Sequence, residues 1–239
     1  MRKSRMVKFR EDVFITTQNV EKMNALADQL LVEDITSSIG IVVGVAGRGK
    51  TFAAKRYYAQ NHNAFYVYCL TSMTISELYS QIVFLLTGQR IRHRLKALEA
   101  IQKATLNDEK KLIIIDEADK ATPKVIDAIR DLNELCELPV LLVGEEKLLD
   151  IMNSARRLRS RVRAKVVFEP LTLTDVTMFY SEALPEVKVE NPKIFKELHK
   201  RSRGDFRILK RDAKEIVKLL NINNTNVITN KILESLYGN

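Results

Sequence analysis

One eight-residue run limits this chain more than any other feature. Gly44-Val-Ala-Gly-Arg-Gly-Lys-Thr51 satisfies every fixed position of the pattern G-x-x-x-x-G-K-[ST]. An apolar stretch, Gly40-Ile-Val-Val-Gly44, leads into it and reads as a short buried strand. A helix is expected to follow over Lys50 to Gln60. The context is therefore strand, glycine-rich loop, helix. Glycine tolerates the backbone angles that turn successive N–H groups inward, and a ring of such groups holds an anion. The helix that starts near Lys50 adds its positive N-terminal end. Residues Gly44, Val45, Ala46, Gly47, Arg48, Gly49, Lys50 and Thr51 are accordingly expected to cradle the phosphates of ATP. Lys50 would reach the β- and γ-phosphates, and the Thr51 hydroxyl would serve a magnesium ion.

The rest of the first two-thirds of the chain repeats the strand–helix alternation. Strand-like runs are expected at Phe65 to Leu70, Lys111 to Asp116, Pro139 to Val143 and Val166 to Phe168. Helices are expected at Thr17 to Val32, Ile75 to Leu86, Arg92 to Thr105 and from Thr122-Pro123 to about Cys136. Thr122 is placed to cap that last helix, and proline suits its first turn. The strands are continuous apolar runs rather than alternating ones, which implies a parallel sheet buried on both faces. After Pro170 the pattern becomes helical only, over Thr174 to Ala183, Pro192 to Lys200, Phe206 to Leu220 and Asn226 to Leu236. The expected organisation is α/β: a nucleotide-binding core with an N-terminal linker helix over residues 1–169, then a small all-helical lid over 170–239. A length of 239 residues suffices for one such core and a small second lobe.

Leu112-Ile-Ile-Ile-Asp116-Glu117 supplies the second half of a nucleotide site. An apolar strand buries its stem and offers two carboxylates at its C-terminal end, where open α/β sheets bind ligands. Asp116 is expected to hold magnesium through its water shell. Glu117 is expected to orient and deprotonate the attacking water.

With the acidic strand end Asp116-Glu-Ala-Asp119, a fourth strand, an arginine run and a helical lid, the chain resembles the AAA+ ATPases over nearly its whole length. Within them it looks most like the DNA-transposition ATPases of the phage Mu B and Tn7 target-selection type. The residues behind that narrower likeness are Gly44 to Thr51, Ile114-Ile-Asp-Glu-Ala-Asp-Lys120, Leu141-Leu-Val-Gly-Glu-Glu-Lys-Leu148, Arg157-Leu-Arg-Ser-Arg161 and Phe168-Glu-Pro-Leu171. The resemblance implies an ATPase with a P-loop AAA+ core, a five-stranded parallel sheet between helices, and ATP with Mg²⁺ at the site. It implies an arginine finger given to a neighbouring subunit, Arg161 first and Arg157 next, so that turnover needs an oligomer, a filament or ring. Guanidinium suits that task because it stays charged and forks onto phosphate oxygens. A solvated or DNA-facing basic turn is the other reading of the same arginines. Gly204-Asp-Phe-Arg207 resembles the second sensor motif, with Arg207 reaching the nucleotide. At the first-sensor position stands Glu145, where the family has a neutral hydrogen-bonding residue. An ionised Glu cannot donate to a phosphate, so either Glu145 contacts water or a neighbouring cation, or hydrolysis is slow.

The charge balance bears on partners. There are 39 Lys and Arg against 30 Asp and Glu, a net charge of +9, which favours a polyanion such as nucleic acid. Arg90, Arg92, Arg94 and Lys96 cluster between the second and third strands and are expected to contact DNA phosphates without reading sequence. A solvated helix face is the alternative. A second basic stretch runs from Lys193 to Lys218, with ten Lys or Arg against four Asp or Glu. The resemblance therefore implies an ATP-dependent, nonspecific duplex-DNA binder that delivers target DNA to a transposase. A replication-initiator or helicase-loader ATPase, and a nucleotide-switched assembly ATPase without DNA, are the competing readings. Cys69 and Cys136 have neither metal-binding nor disulfide spacing. The basic N-terminus lacks the apolar stretch of a secretory signal, and the apolar runs are too short to span a bilayer. A cytoplasmic protein is expected.

Overall fold

The computed structural model describes residues 6–32, 38–106, 109–154 and 159–238. Helix α1 (Gln18–Val32) leads into strand β1 (Ile39–Val43), and the phosphate loop joins β1 to α2 (Lys50–Gln60). There follow β2 (Ala64–Tyr68), α3 (Ile75–Thr87), α4 (Arg94–Thr105), β3 (Leu112–Asp116), a 3-10 turn at Ala118–Lys120 and α5 (Pro123–Leu135). Strand β4 (Val140–Gly144), α6 (Lys147–Ser154) and β5 (Val162–Val167) complete the core.

The five strands form one sheet in the order β2-β3-β4-β1-β5, and every pairing is parallel. Two faces of the sheet are buried for different reasons. Ile39, Ile41, Val43, Val67, Ile113, Ile115, Val140 and Leu142 point to one face and pack with α3, α4 and α5 through Leu78, Ile82, Ile101, Ile126 and Ile129. The other face receives α1 at close range. A Cβ on Gly40 would meet Leu26, Leu30 and Leu141 at 3.1 Å or less, so only glycine lets that helix lie so near the sheet. Ile113, Ile114 and Ile115 are each fully buried, and burial of each stabilises the fold by roughly 1.5–3 kcal/mol. Strand β3 is thereby fixed as a rigid stem for the carboxylates at its end.

Strand β5 is longer than the two valines of its apolar run suggest. It is the edge of the sheet, and Arg163 and Lys165 alternate outward as exposed residues. One-sided burial explains why hydrophobic continuity registers only its last part. Charged side chains on such an edge also discourage strand addition.

The remaining elements are α7 (Leu173–Ala183), β6 (Lys188–Val189), α8 (Lys193–Ser202), α9 (Phe206–Ile222), β7 (Val227–Ile228) and α10 (Asn230–Tyr237). A fully helical lobe was expected here. The parallel pairing of β6 with β7 adds two short strands that the sequence pattern does not betray, because two residues carry no periodicity. Three of these helices begin at side-chain caps. Thr172 and Asp175 make a reciprocal capping box on α7, Asp205 caps α9 and Thr229 caps α10. Such a cap is worth about 1 kcal/mol.

The chain divides into two compact units. Gln18–Phe168 form one, and Glu169–Asn239 form the other together with the residues up to Thr17. The N-terminal segment therefore belongs with the helical lobe, whereas residues 1–169 were expected to form a single core. Its grip is specific. The Asn221 side chain accepts from the Val7 N–H at 2.8 Å and donates to the Val7 carbonyl at 3.0 Å. Val7 and Ile15 are buried in the helical core. Glu11 pairs with Lys210 and Lys214, and both ammonium groups lie over the Phe9 ring.

Candidate nucleotide site

The parallel register brings three strand ends to one edge of the core. Val43 pairs with Gly144 across β1 and β4, and Tyr68 pairs with Asp116 across β2 and β3. Gly44, Glu145 and Asp116 thus emerge side by side although they are far apart in sequence. The loop that follows β1 takes its shape from its glycines. Gly47 has φ 82° and Gly49 has φ 91°, values that residues with a Cβ rarely adopt. Gly49 is also the cap of α2, so the free N–H groups of that helix open onto the loop.

Lys50 is buried. Its ammonium donates to the carbonyl oxygens of Gly44 at 2.6 Å and Val45 at 3.1 Å. Burial pushes the lysine's pKa down, and four carboxylates resist that shift: Glu145, Glu117, Asp116 and Asp119, in that order. The lysine therefore lies within electrostatic reach of the acidic strand ends. Thr51 occupies the first turn of α2 and is half-buried.

Asp116 is almost wholly buried, and both its oxygens are engaged. Oδ1 accepts from the Glu117 N–H at 2.9 Å, and Oδ2 accepts from the Tyr66 hydroxyl at 2.6 Å. Burial and the bond to Asp116 push the Tyr66 phenol well above its ordinary pKa, so it remains a donor. Glu117 takes a left-handed backbone with φ 57°, at a cost of about 1–2 kcal/mol. Strain of this kind gathers at functional positions. Its carboxylate pairs with Lys120 at 2.7 Å. Lys120 in turn approaches the Tyr68 hydroxyl at 3.3 Å and lies 5.4 Å from the centre of that ring. Asp119 ties the acidic turn to β4: its Oδ1 accepts from the Glu145 N–H at 2.9 Å. A Cβ at Gly144 would fall 2.6 Å from that oxygen, so the strand must end in glycine for the tie to form.

Three participants were given no role in the sequence expectations: Tyr66, Asp119 and Lys120. Asp119 and Lys120 lie in the run Ile114 to Lys120 already singled out, but what they hold is seen only in the structure. Tyr66 left a fainter trace in the sequence. It alternates with the core-facing Val67 and so had to face the other side of the sheet.

Within the core unit, Arg161 lies apart from this cluster. Arg161 stands just before β5, next to the N-terminal end of the sheet. About 15 Å of strand separates that end from the phosphate loop. Its guanidinium pairs with Glu134 at 2.8 Å. That pair holds it away from its own chain's loop. Arg157 lies outside the described residues. Arg207 is exposed in the first turn of α9, in the helical unit. Arg90, Arg92, Arg94 and Lys96 are all exposed on the segment that ends α3 and begins α4. Arg90 rests over the Phe84 ring at 5.2 Å and Arg94 over Tyr79 at 6.0 Å. In the second basic stretch, Glu11, Asp212 and Glu215 pair with Lys210, Lys214, Arg201, Arg211 and Lys218. Much of that stretch's charge is answered locally.

The donor set suits magnesium with a polyphosphate. A nest of amides, one buried ammonium, one hydroxyl and one buried carboxylate leave most of the coordination to phosphate and water, which is the way magnesium is usually held. Among the described residues no group of three or more His, Cys, Asp or Glu forms a metal cage. Cys69 and Cys136 are buried free thiols, and burial pushes the Cys136 thiol up to about 12. Among the described residues no helix is long and apolar enough to cross a membrane.

A phosphate loop on β1, an acidic end on β3 and a β4 strand inserted between them define a P-loop nucleotide-binding protein of the AAA+ class. The family model for the AAA domain matches residues 34–152, which contain the whole cluster. More narrowly, the chain is similar in sequence to two phage target DNA activators. It is 28% identical over 145 residues to the ATP-dependent target DNA activator B of Escherichia phage Mu, and equally so to that of Escherichia phage D108. Each match covers 60% of this chain and 46% of the relative, so the chain spans under half the length of those relatives. In fold it is similar to the Thermotoga maritima RuvB Holliday junction branch migration motor, with TM-score 0.65, 20% identity, and 94% and 70% of the two chains covered. It is also similar to the Aeropyrum pernix ORC2 protein, with TM-score 0.68, 15% identity, and 99% and 70% covered.

Proposed function

We propose that this chain binds and hydrolyses ATP with magnesium, and that nucleotide controls its assembly on duplex DNA. Lys50 and the amides of residues 44–51 hold the phosphates. Thr51 and Asp116 hold magnesium, which when bound offsets the negative charge of the β- and γ-phosphate oxygens. Glu117 accepts the proton of the attacking water. Its pairing with Lys120 occupies that carboxylate, and release from the pair precedes its use as a base. Glu145 presents its backbone to Asp119 and its negative charge toward Lys50, so it contributes no donor to the γ-phosphate. Slow turnover follows.

Arg161 acts in trans as the arginine finger. The exposed pair with Glu134 is worth at most about 1 kcal/mol, a small cost to break on docking. Turnover then depends on a homo-oligomer, a filament or ring. Arg90, Arg92, Arg94 and Lys96 contact DNA phosphates. Arg94 and Lys96 stand in the first turn of α4, where positive charge works against the helix dipole by about 0.3–1 kcal/mol each. A bound phosphate relieves that conflict. In the cytoplasm, the assembled protein hands target DNA to a transposase, the role the family resemblance implies; its phage relatives are named as target DNA activators.

The observation that carries this reading is the convergence of Lys50, Asp116, Glu117 and Glu145 at one sheet edge within the span matched by the AAA domain, in a chain 28% identical over 145 residues to an ATP-dependent target DNA activator. Duplex DNA binding, measured with and without Mg-ATP across salt concentrations, tests it. Binding that tightens with Mg-ATP, ignores sequence and weakens steeply with salt is the expected result. No binding at low salt removes the DNA role and leaves a nucleotide-switched assembly protein.

A further inference from the structure

Tyr66 has no part in the reading above, yet it holds one oxygen of the most buried carboxylate at the site. Its hydroxyl donates to Asp116 Oδ2 at 2.6 Å while the Glu117 N–H donates to Oδ1. A carboxylate oxygen offers two acceptor directions. One donor on each oxygen therefore fixes the plane of the group and leaves each a second direction open. A buried carboxylate without those donors would be free to turn and costly to keep charged.

The tyrosine is itself held from the other side. Its ring lies 6.2 Å from the Tyr58 ring, and the Lys55 ammonium sits 5.6 Å above it. Thr51, Lys55 and Tyr58 follow one another at i, i+4 and i+7 along α2, so they share one stripe of that helix. The stripe that carries the expected magnesium hydroxyl, Thr51, is the one that braces the phenol bonded to the expected magnesium carboxylate, Asp116. A tyrosine in β2 thus links the two halves of the metal site, which come from elements over sixty residues apart.

We propose that Tyr66 is a positioning residue for magnesium, setting the orientation of Asp116 relative to Thr51 through its hydroxyl. It touches neither nucleotide nor metal. Its role rests on the nucleotide reading above, and the test separates the two.

Tyr66→Phe keeps the ring, its packing on α2 and the strand, and removes only the donor. The full-length chain is titrated with magnesium in the presence of a fluorescent adenine nucleotide, with a parallel titration of the nucleotide in EDTA. The expected result is a half-saturating magnesium concentration raised about tenfold or more, the usual cost of losing an outer partner of a metal ligand. Nucleotide affinity in EDTA stays within about twofold of wild type. In an Asp116→Asn background the same substitution moves the magnesium midpoint by less than about twofold, because the two side chains act as one unit. A magnesium midpoint unchanged in Tyr66→Phe overturns the proposal. So does an equal loss in EDTA and in magnesium, which would make Tyr66 a packing residue alone. A wild-type chain that binds no nucleotide in either arm overturns the nucleotide reading itself.

Discussion

The end of the loop after β1 and the segment running from the end of α3 into the first turn of α4 both present basic side chains, and they hold them in opposite ways. Lys50 is buried, bonded to two carbonyls of its own loop and surrounded by four carboxylates. Arg90, Arg92, Arg94 and Lys96 are exposed, and two of them lie on the rings of Phe84 and Tyr79. A buried cation has to be answered by fixed groups, so its surroundings specify one ligand geometry. Exposed cations answer to any anion of sufficient charge density, and salt screens them. The first arrangement builds a site for one chemistry. The second suits a polymer bound without regard to sequence.

Substitutions break that comparison on one side or the other. The largest effect is expected from Glu117→Gln, which keeps the shape and removes the base. ATP affinity should hold while turnover falls about 10³-fold, read by steady-state hydrolysis beside equilibrium binding. Turnover at the wild-type rate would take the base role from Glu117. A smaller effect is expected from replacing Arg90, Arg92, Arg94 and Lys96 together with alanine. Hydrolysis without DNA should change little. Duplex DNA affinity at low salt should drop at least about tenfold, and the slope of log affinity against log salt should lose up to about 3.6, the share of four phosphate contacts. An unchanged slope would place the DNA contacts elsewhere.

The same contrast explains what the sequence discloses. The phosphate loop is contiguous, and its glycines are demanded by backbone angles at Gly47 and Gly49, so its pattern survives in the bare sequence. Asp116 and Glu117 are legible because three isoleucines before them can only be a buried strand end. Tyr66 and Asp119 are not legible, since each acts through a partner fifty and twenty-six residues away. Their roles appear only once β2 pairs with β3 and the turn after β3 meets β4. Strand β5 is half hidden because its outer face is charged. The placement of the N-terminal segment with the helical unit rests on Asn221 bracketing Val7, a contact across 214 residues that no local pattern announces.

The account stands or falls on Lys50 and the loop beneath it as a triphosphate site. Calorimetric titration of the folded chain with Mg-ATP, beside Lys50→Ala of equal thermal stability, addresses that claim most directly. Saturable heat of binding in the wild type, and affinity lower by about a hundredfold or more in the variant, is the predicted result. A wild-type chain that gives no heat of binding, or a variant that binds equally well, would contradict it.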